Sequence, residues 1–206
     1  MALVITVAQQ KGGAGKTMLA ANLAAVFAEG ARVAVLDIDP QRSLSRWHAL
    51  RGPQAAALTC ADVAGWRLVA TLDRLRAAHD IVLIDSPPQV ETEARVAVRG
   101  ADLVLVPMQP SLPDLWAAEG TLKLAEAERR RIAVVFNRAP AASRLRAQIA
   151  AEMAGRRLPV LAASLGNRAG YAAAFARGFG VTEASPRSTA AAEIRALADE
   201  LRGTLG

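Results

Sequence analysis

Lys11, Gly12, Gly13, Ala14, Gly15, Lys16, Thr17 and Met18 follow one another directly, and these residue types in this order could hold a phosphate. Glycines let backbone N–H groups turn inward around an anion, and a helix starting just after them presents its positive dipole end there. The apolar run Leu3 to Val7 precedes the glycines, and the alanine-rich segment Leu19 to Ala28 follows. That is the strand, loop and helix order a phosphate cradle requires. Lys16 is placed to reach β- and γ-phosphates, and the Thr17 hydroxyl to hold Mg²⁺. The usual loop has a glycine where this chain has Gln10, and a second lysine, Lys11, stands directly before Gly12. Lys11, Lys16 and Lys123 are the only lysines in a chain that otherwise uses arginine.

Carboxylates recur where a phosphate loop needs them. One apolar run ends in Asp37-Ile38-Asp39-Pro40-Gln41 and another in Asp85-Ser86-Pro87-Pro88. An apolar strand closing on aspartate beside such a loop is where Mg²⁺ and its waters are held. Asp85 suits the metal's surroundings, while Asp37 and Asp39 divide between the metal and the γ-phosphate with its attacking water. Aspartate before proline also caps turns, the structural alternative at both places.

These residues need a scaffold, and the rest of the chain supplies one. Short continuous runs of Val, Ile and Leu indicate strands near Leu3–Ala8, Arg32–Asp37, Ile81–Asp85, Leu103–Pro107, Ile132–Asn137 and Pro159–Ala162. Helices are expected over Lys16–Glu29, Ser43–Leu50, Trp66–His79, Thr92–Val98, Leu112–Glu128, Ser143–Met153, Ala169–Arg177 and Ser188–Arg202, with Arg51–Ala57 a surface loop. Continuous rather than alternating apolar runs imply strands covered on both faces. The expectation is an α/β fold: a doubly wound, mainly parallel sheet with helices on both faces and ligands at the carboxyl ends of its strands. With no linker, repeat or low-complexity stretch, residues 1–206 read as a single domain.

The chain has 206 residues, 52% of them hydrophobic, and a formal net charge of +6. No apolar run approaches the ~20 residues that span a bilayer, and no secretory leader pattern opens the chain, so a cytoplasmic location is expected. Cys60 is the only cysteine, which excludes an intrachain disulfide. The charge excess lies in Arg138, Arg144, Arg146, Arg156, Arg157, Arg168, Arg177 and Arg187, opposed there only by Glu152 and Glu183. Such a surplus suggests a polyanionic partner, DNA first; a solvated basic face has the same composition. The final helix puts Ile194, Leu197 and Leu201 on one face with a mixed, slightly acidic polar side. It reads as packing on the domain rather than on a membrane.

Taken together, these residues resemble the deviant-Walker ATPases of the ParA/MinD family. The family's KGGxGKT appears as Lys11 to Thr17, its DxDPQ as Asp37 to Gln41 and its DxPP as Asp85 to Pro88. Pro107-Met108-Gln109-Pro110-Ser111 and Phe136-Asn137-Arg138 are further matches. The resemblance implies ATP and Mg²⁺ as cofactors, with Lys11 to Met18 and Asn137 binding nucleotide and Asn137 reading the adenine. It implies that Lys11 reaches across an ATP-bound homodimer to the partner's phosphates, that Asp39 positions the attacking water, and that Thr17, Asp37 and Asp85 serve Mg²⁺. Lys11, Lys16 and Asp39 are then the catalytic set. Met18 stands where the family often has a second threonine, so that hydroxyl is lost.

The resemblance further implies a weak ATPase stimulated by a ParB-like or other adaptor protein. Small ParA-type members without a helix-turn-helix domain segregate DNA or position protein cargo over the nucleoid. The expected activity is ATP-dependent DNA partitioning: the ATP-bound sandwich dimer binds nonspecific DNA through Arg144, Arg146, Arg168 and Arg177, and hydrolysis releases it. Positioning of a protein cargo is the alternative, and a biosynthetic ligase of similar fold a more distant one. Nucleoid association without a membrane partner follows from the same reading.

Overall fold

The computed structural model describes residues 2–63, 67–88, 92–140 and 144–205. Its frame is a seven-stranded sheet: β1 (Leu3–Val7), β2 (Val33–Asp37), β3 (Thr59–Asp62), β4 (Ile81–Asp85), β5 (Leu103–Met108), β6 (Arg131–Ala139) and β7 (Val160–Gly166). The order is β3-β2-β4-β1-β5-β6-β7, and each neighbouring pair is parallel.

Helices cover both faces. On one lie α1 (Lys16–Phe27), α2 (Ser43–Ala49), α7 (Ala169–Phe175), α8 (Val181–Ala184) and α9 (Thr189–Leu205), packed on Ile5, Val7, Val35, Leu83, Leu105 and Val135. On the other lie α3 (Leu68–Ala78), α4 (Thr92–Gly100), α5 (Leu112–Ala127) and α6 (Arg144–Gly155), packed on Val4, Leu36, Ile84, Val106 and Phe136. Successive strand residues therefore bury to opposite sides, which is why the runs are apolar throughout. The apolar face of α9 is spent in this core, with Ile194, Leu197 and Leu201 fully buried.

Beyond shifts of a few residues at element ends, the structure departs from the expected elements at β3, at β7 and after α7, where α8 was not expected. β3 has no counterpart among the expected strands. It is four residues at the sheet edge, Thr59 to Asp62, all exposed or half-buried, and it lacks an apolar run to announce it. β7 continues to Gly166, beyond Ala162, because its outer edge is satisfied by α9 rather than by another strand. α7 stops at Phe175, and Gly178 at φ 74 lets the chain turn into α8. Trp66 and Ser143, expected to open α3 and α6, lie outside the described residues.

Register places the chemistry. Asp85 is level with Val7 on one side and with Asp37 on the other. Their same-face predecessors Leu83 and Val35 pack beneath α1, so both carboxylates project to the side on which α1 begins.

Candidate nucleotide and metal site

The loop between β1 and α1 is built by left-handed glycines: Gly13 has φ 79 and Gly15 φ 89. Residues bearing a Cβ are strained there. Gly15 is the N-cap of α1, no side chain caps it, and the first turn has no acidic residue. The orphan N–H groups of that turn are thus left for an external anion. Lys16 is buried, and desolvation pulls its ammonium below the usual lysine range against the attraction of Asp85 and Asp39.

Asp85 is wholly buried, and neither carboxylate oxygen has a hydrogen-bond partner of ordinary geometry. Burial pushes its carboxyl up to about 7, opposed by the Thr17 hydroxyl and Lys16 and aided by the neighbouring Asp37. A dry carboxylate with idle lone pairs costs several kcal/mol unless a cation compensates it. Thr17 and Asp85 accordingly fit a hard divalent cation that keeps its waters and borrows phosphate oxygens.

Asp37 is differently engaged. Its Oδ1 accepts the Asp39 N–H at 3.1 Å, and its Oδ2 accepts both the N–H and the hydroxyl of Ser45 at 2.8 Å. Burial raises its carboxyl pKa while those donors resist. Asp37 thereby ties β2 to the first turn of α2 and sets the path of Asp39. Asp39 is half-buried, accepts the Gln41 N–H at 2.8 Å, and lines a recess of about 320 Å³ with Gly13, Lys16 and Thr17.

A second recess, of about 130 Å³, opens beside Gly15, Met18, Asn137, Leu165, Asn167 and Tyr171. Asn137 donates from Nδ2 to the Ala14 carbonyl at 2.8 Å and accepts the Arg138 N–H at 3.0 Å. Its amide braces the phosphate loop, and a Cβ on Gly15 would collide with it. An amide has two donors and two lone pairs, so capacity to read a base remains. The far wall is tied by Glu193 of α9, which accepts from the Gly166 N–H at 3.1 Å and from Arg168 at 2.6 and 3.0 Å. Burial opposes charge on Glu193, yet Arg168 and the Gly166 N–H hold its carboxyl below the usual glutamate range.

Lys11 leans away from the loop. Its ammonium lies 2.8 Å from Asp114 Oδ2 in the same subunit. Asp114 also accepts the Ser111 hydroxyl at 2.7 Å, while the Ser111 side chain caps α5 by accepting the Asp114 N–H. Although burial works against it, these donors keep the Asp114 carboxyl below its ordinary value. Sequence reasoning missed Asp114, Ser45 and Glu193. Only Asp114 carried a signal, standing three residues after a serine at a helix start.

The arginines expected to meet DNA differ in their surroundings. Arg144 is exposed at the start of α6, Arg146 lies 5.8 Å from the Phe136 ring and Arg177 5.4 Å from the Phe179 ring. Arg168 is occupied by Glu193. No helix among the described residues is long and apolar enough to cross a membrane.

Comparison with known proteins agrees with this geometry. The family model described as the CobQ/CobB/MinD/ParA nucleotide binding domain matches residues 5–181. The maintenance of carboxysome distribution protein A of Halothiobacillus neapolitanus is 29% identical over 97% of this chain and 96% of its own length. The ParA protein of Rhizobium radiobacter is 35% identical over 65% of this chain and 63% of its own. Among solved structures, Pyrococcus furiosus MinD superposes with a TM-score of 0.85 at 20% identity, covering 99% of this chain and 100% of that one. Cyanothece apo McdA gives 0.81 at 19%, covering 98% and 100%. Uncapped helix, buried lysine and idle strand-end aspartate thus stand on a shared sheet, with ATP and Mg²⁺ as the cofactors: the chain belongs to the CobQ/CobB/MinD/ParA family of nucleotide-binding domains.

Proposed function

We propose that this protein is an ATPase that positions cargo by cycling on and off DNA. Two subunits close face to face over ATP, the closed dimer binds duplex DNA without regard to sequence, and hydrolysis stimulated by an adaptor protein releases it. The observation that carries the reading is the buried, unpartnered Asp85 beside Lys16 and Thr17. A site so costly when empty suits a protein whose state depends on its ligand.

In this reading Lys16 neutralises charge on the β- and γ-phosphates, and Asp39 orients the attacking water. Thr17 and Asp85 would hold Mg²⁺, which supplies further neutralisation of phosphate charge when bound. Lys11 leaves Asp114 and crosses to the partner's phosphates. Arg144, Arg146 and Arg177 meet DNA phosphates, giving affinity that falls steeply with salt. Such a protein works in the cytoplasm at the nucleoid.

The carboxysome distribution relative, matched along nearly its whole length, favours a protein assembly as cargo. The partial matches to ParA and to the chromosome-partitioning ATPase Soj of Thermus thermophilus support DNA itself as the second reading. Gel shift of nonspecific duplex with ATP, ADP or no nucleotide tests the common core, and retardation only with ATP is expected. Equal retardation in all three lanes, or none in any, would sink it. Turnover that requires a small molecule and ignores DNA would point to a biosynthetic ligase instead.

A further inference from the structure

β7 is an edge strand with an outer row of N–H groups that no other strand pairs. Two glutamates of α9 fill that role: Glu200 accepts the Ala162 and Ala163 N–H groups, both at 2.8 Å, and Glu193 accepts that of Gly166 at 3.1 Å. The two differ in what lies beyond the strand. Glu200 holds the middle of β7, remote in sequence from the loop at its end. Glu193 holds the segment Gly166 to Tyr171, which walls the recess beside Asn137.

Four donors from that segment converge on the Glu193 carboxylate. They are the Gly166 N–H, Arg168 Nε at 3.0 Å, Arg168 Nη2 at 2.6 Å and the Tyr171 hydroxyl at 3.3 Å. The single Tyr171 hydroxyl proton is shared with the Ala190 carbonyl at 3.0 Å, one turn earlier on α9. Arg168 curls back so closely that a Cβ on Gly166 would sit 3.1 Å from its Nε. A third recess is lined by Arg146, Ser164, Gly166, Asn167, Arg168 and Glu193. Gly166, Asn167 and Arg168 thus line both recesses; Tyr171 anchors the end of the segment in the core, and its exposed middle is held from α9. Asn167 at its centre is exposed and shares the recess beside Gly15 with Asn137.

We infer that Glu193, through Arg168 and the Gly166 N–H, is a positioning residue that fixes the wall against which the nucleoside of the bound nucleotide is read. The inference rests on the ATP reading and deepens it. The phosphates are held by the loop before α1, and the nucleoside's share of affinity depends on a carboxylate that touches no ligand. Arg168 belongs to this wall and not to a DNA-binding face.

The test separates nucleoside from phosphates. Affinities of the purified full chain for MgATP and for Mg-tripolyphosphate are measured by calorimetry in wild type, Glu193→Ala, Glu193→Gln, Arg168→Ala and Glu200→Ala. Loss of a charge-assisted anchor is worth about tenfold. Glu193→Ala and Arg168→Ala should weaken ATP by that factor while leaving tripolyphosphate unchanged. Glu193→Gln, which retains an acceptor, should restore part of the loss, and Glu200→Ala should match wild type. The inference is overturned if folded Glu193→Ala and Arg168→Ala keep the wild-type ratio of the two affinities, or if Glu200→Ala lowers that ratio equally. Should Glu193→Ala not fold, Arg168→Ala alone decides, since it spares the Gly166 and Tyr171 bonds. Wild-type protein that binds tripolyphosphate no more weakly than ATP would sink the ATP reading itself, a result distinct from an unaffected variant.

Discussion

Asp85 and the two lysines of the loop make different demands on the free protein. In the metal-free state the Asp85 carboxyl titrates at about 7, against ~3.9 in an unfolded chain. A raised acid stabilises the fold fully below the unfolded value, and that contribution is lost as pH climbs to the folded one. Metal-free protein should therefore weaken between about pH 4 and 7 on account of this group, by up to ~4 kcal/mol for a shift of this size. Asp85→Asn should raise the metal-free melting temperature at pH 8 by several degrees while abolishing Mg²⁺-dependent ATP hydrolysis; an unchanged melting curve refutes the assignment. Lys16→Ala should reduce ATP affinity at least a hundredfold by calorimetry, about the 3 kcal/mol expected for a desolvated charge contact. Lys11→Ala should leave ATP affinity within about twofold of wild type but remove ATP-dependent dimers in light scattering. Dimers persisting in that variant would end the cross-subunit role.

At the level of elements, α5 opposes what the glycine loop is asked to do. Its first turn holds Lys11 on Asp114, a contact that must break if the lysine is to reach another subunit. A ligand or partner shifts such an equilibrium only by its differential affinity for the two states. Asp114→Asn should therefore let dimers form at severalfold lower ATP, read by scattering during titration, at the expense of about 1 kcal/mol of stability from the weakened first turn of α5. The same elements show what could be read from the chain alone. The parallel sheet and the loop were legible because apolar runs, glycines and strand-end aspartates are local signals. β3 was not, since an exposed edge strand needs no apolar residues. Nor was the Ser45 grip on Asp37 or the Glu193 grip on Arg168, because eight and 25 residues separate those partners and only the fold brings them together. Charge counting likewise could not show that Arg168 is paired with Glu193.

For the molecule as a whole, the proposed DNA contacts make a testable claim about salt. If Arg144, Arg146 and Arg177 each neutralise a phosphate, a closed dimer presents about six contacts, and log affinity should fall with log salt at a slope of about −5. Reversing Arg144 and Arg177 to Glu should flatten that slope and weaken duplex binding more than tenfold in gel shifts, with ATP affinity intact. A slope unchanged by both substitutions would move the DNA face elsewhere.

The carboxylates of α9 along β7 have one more effect. By occupying the outward amides of that margin, they deny a neighbouring molecule the template it would need to add a strand. The opposite margin offers only the four residues of β3, too short a ribbon to recruit one firmly. Copies of this protein are thus steered away from fusing side by side into a continuous ribbon.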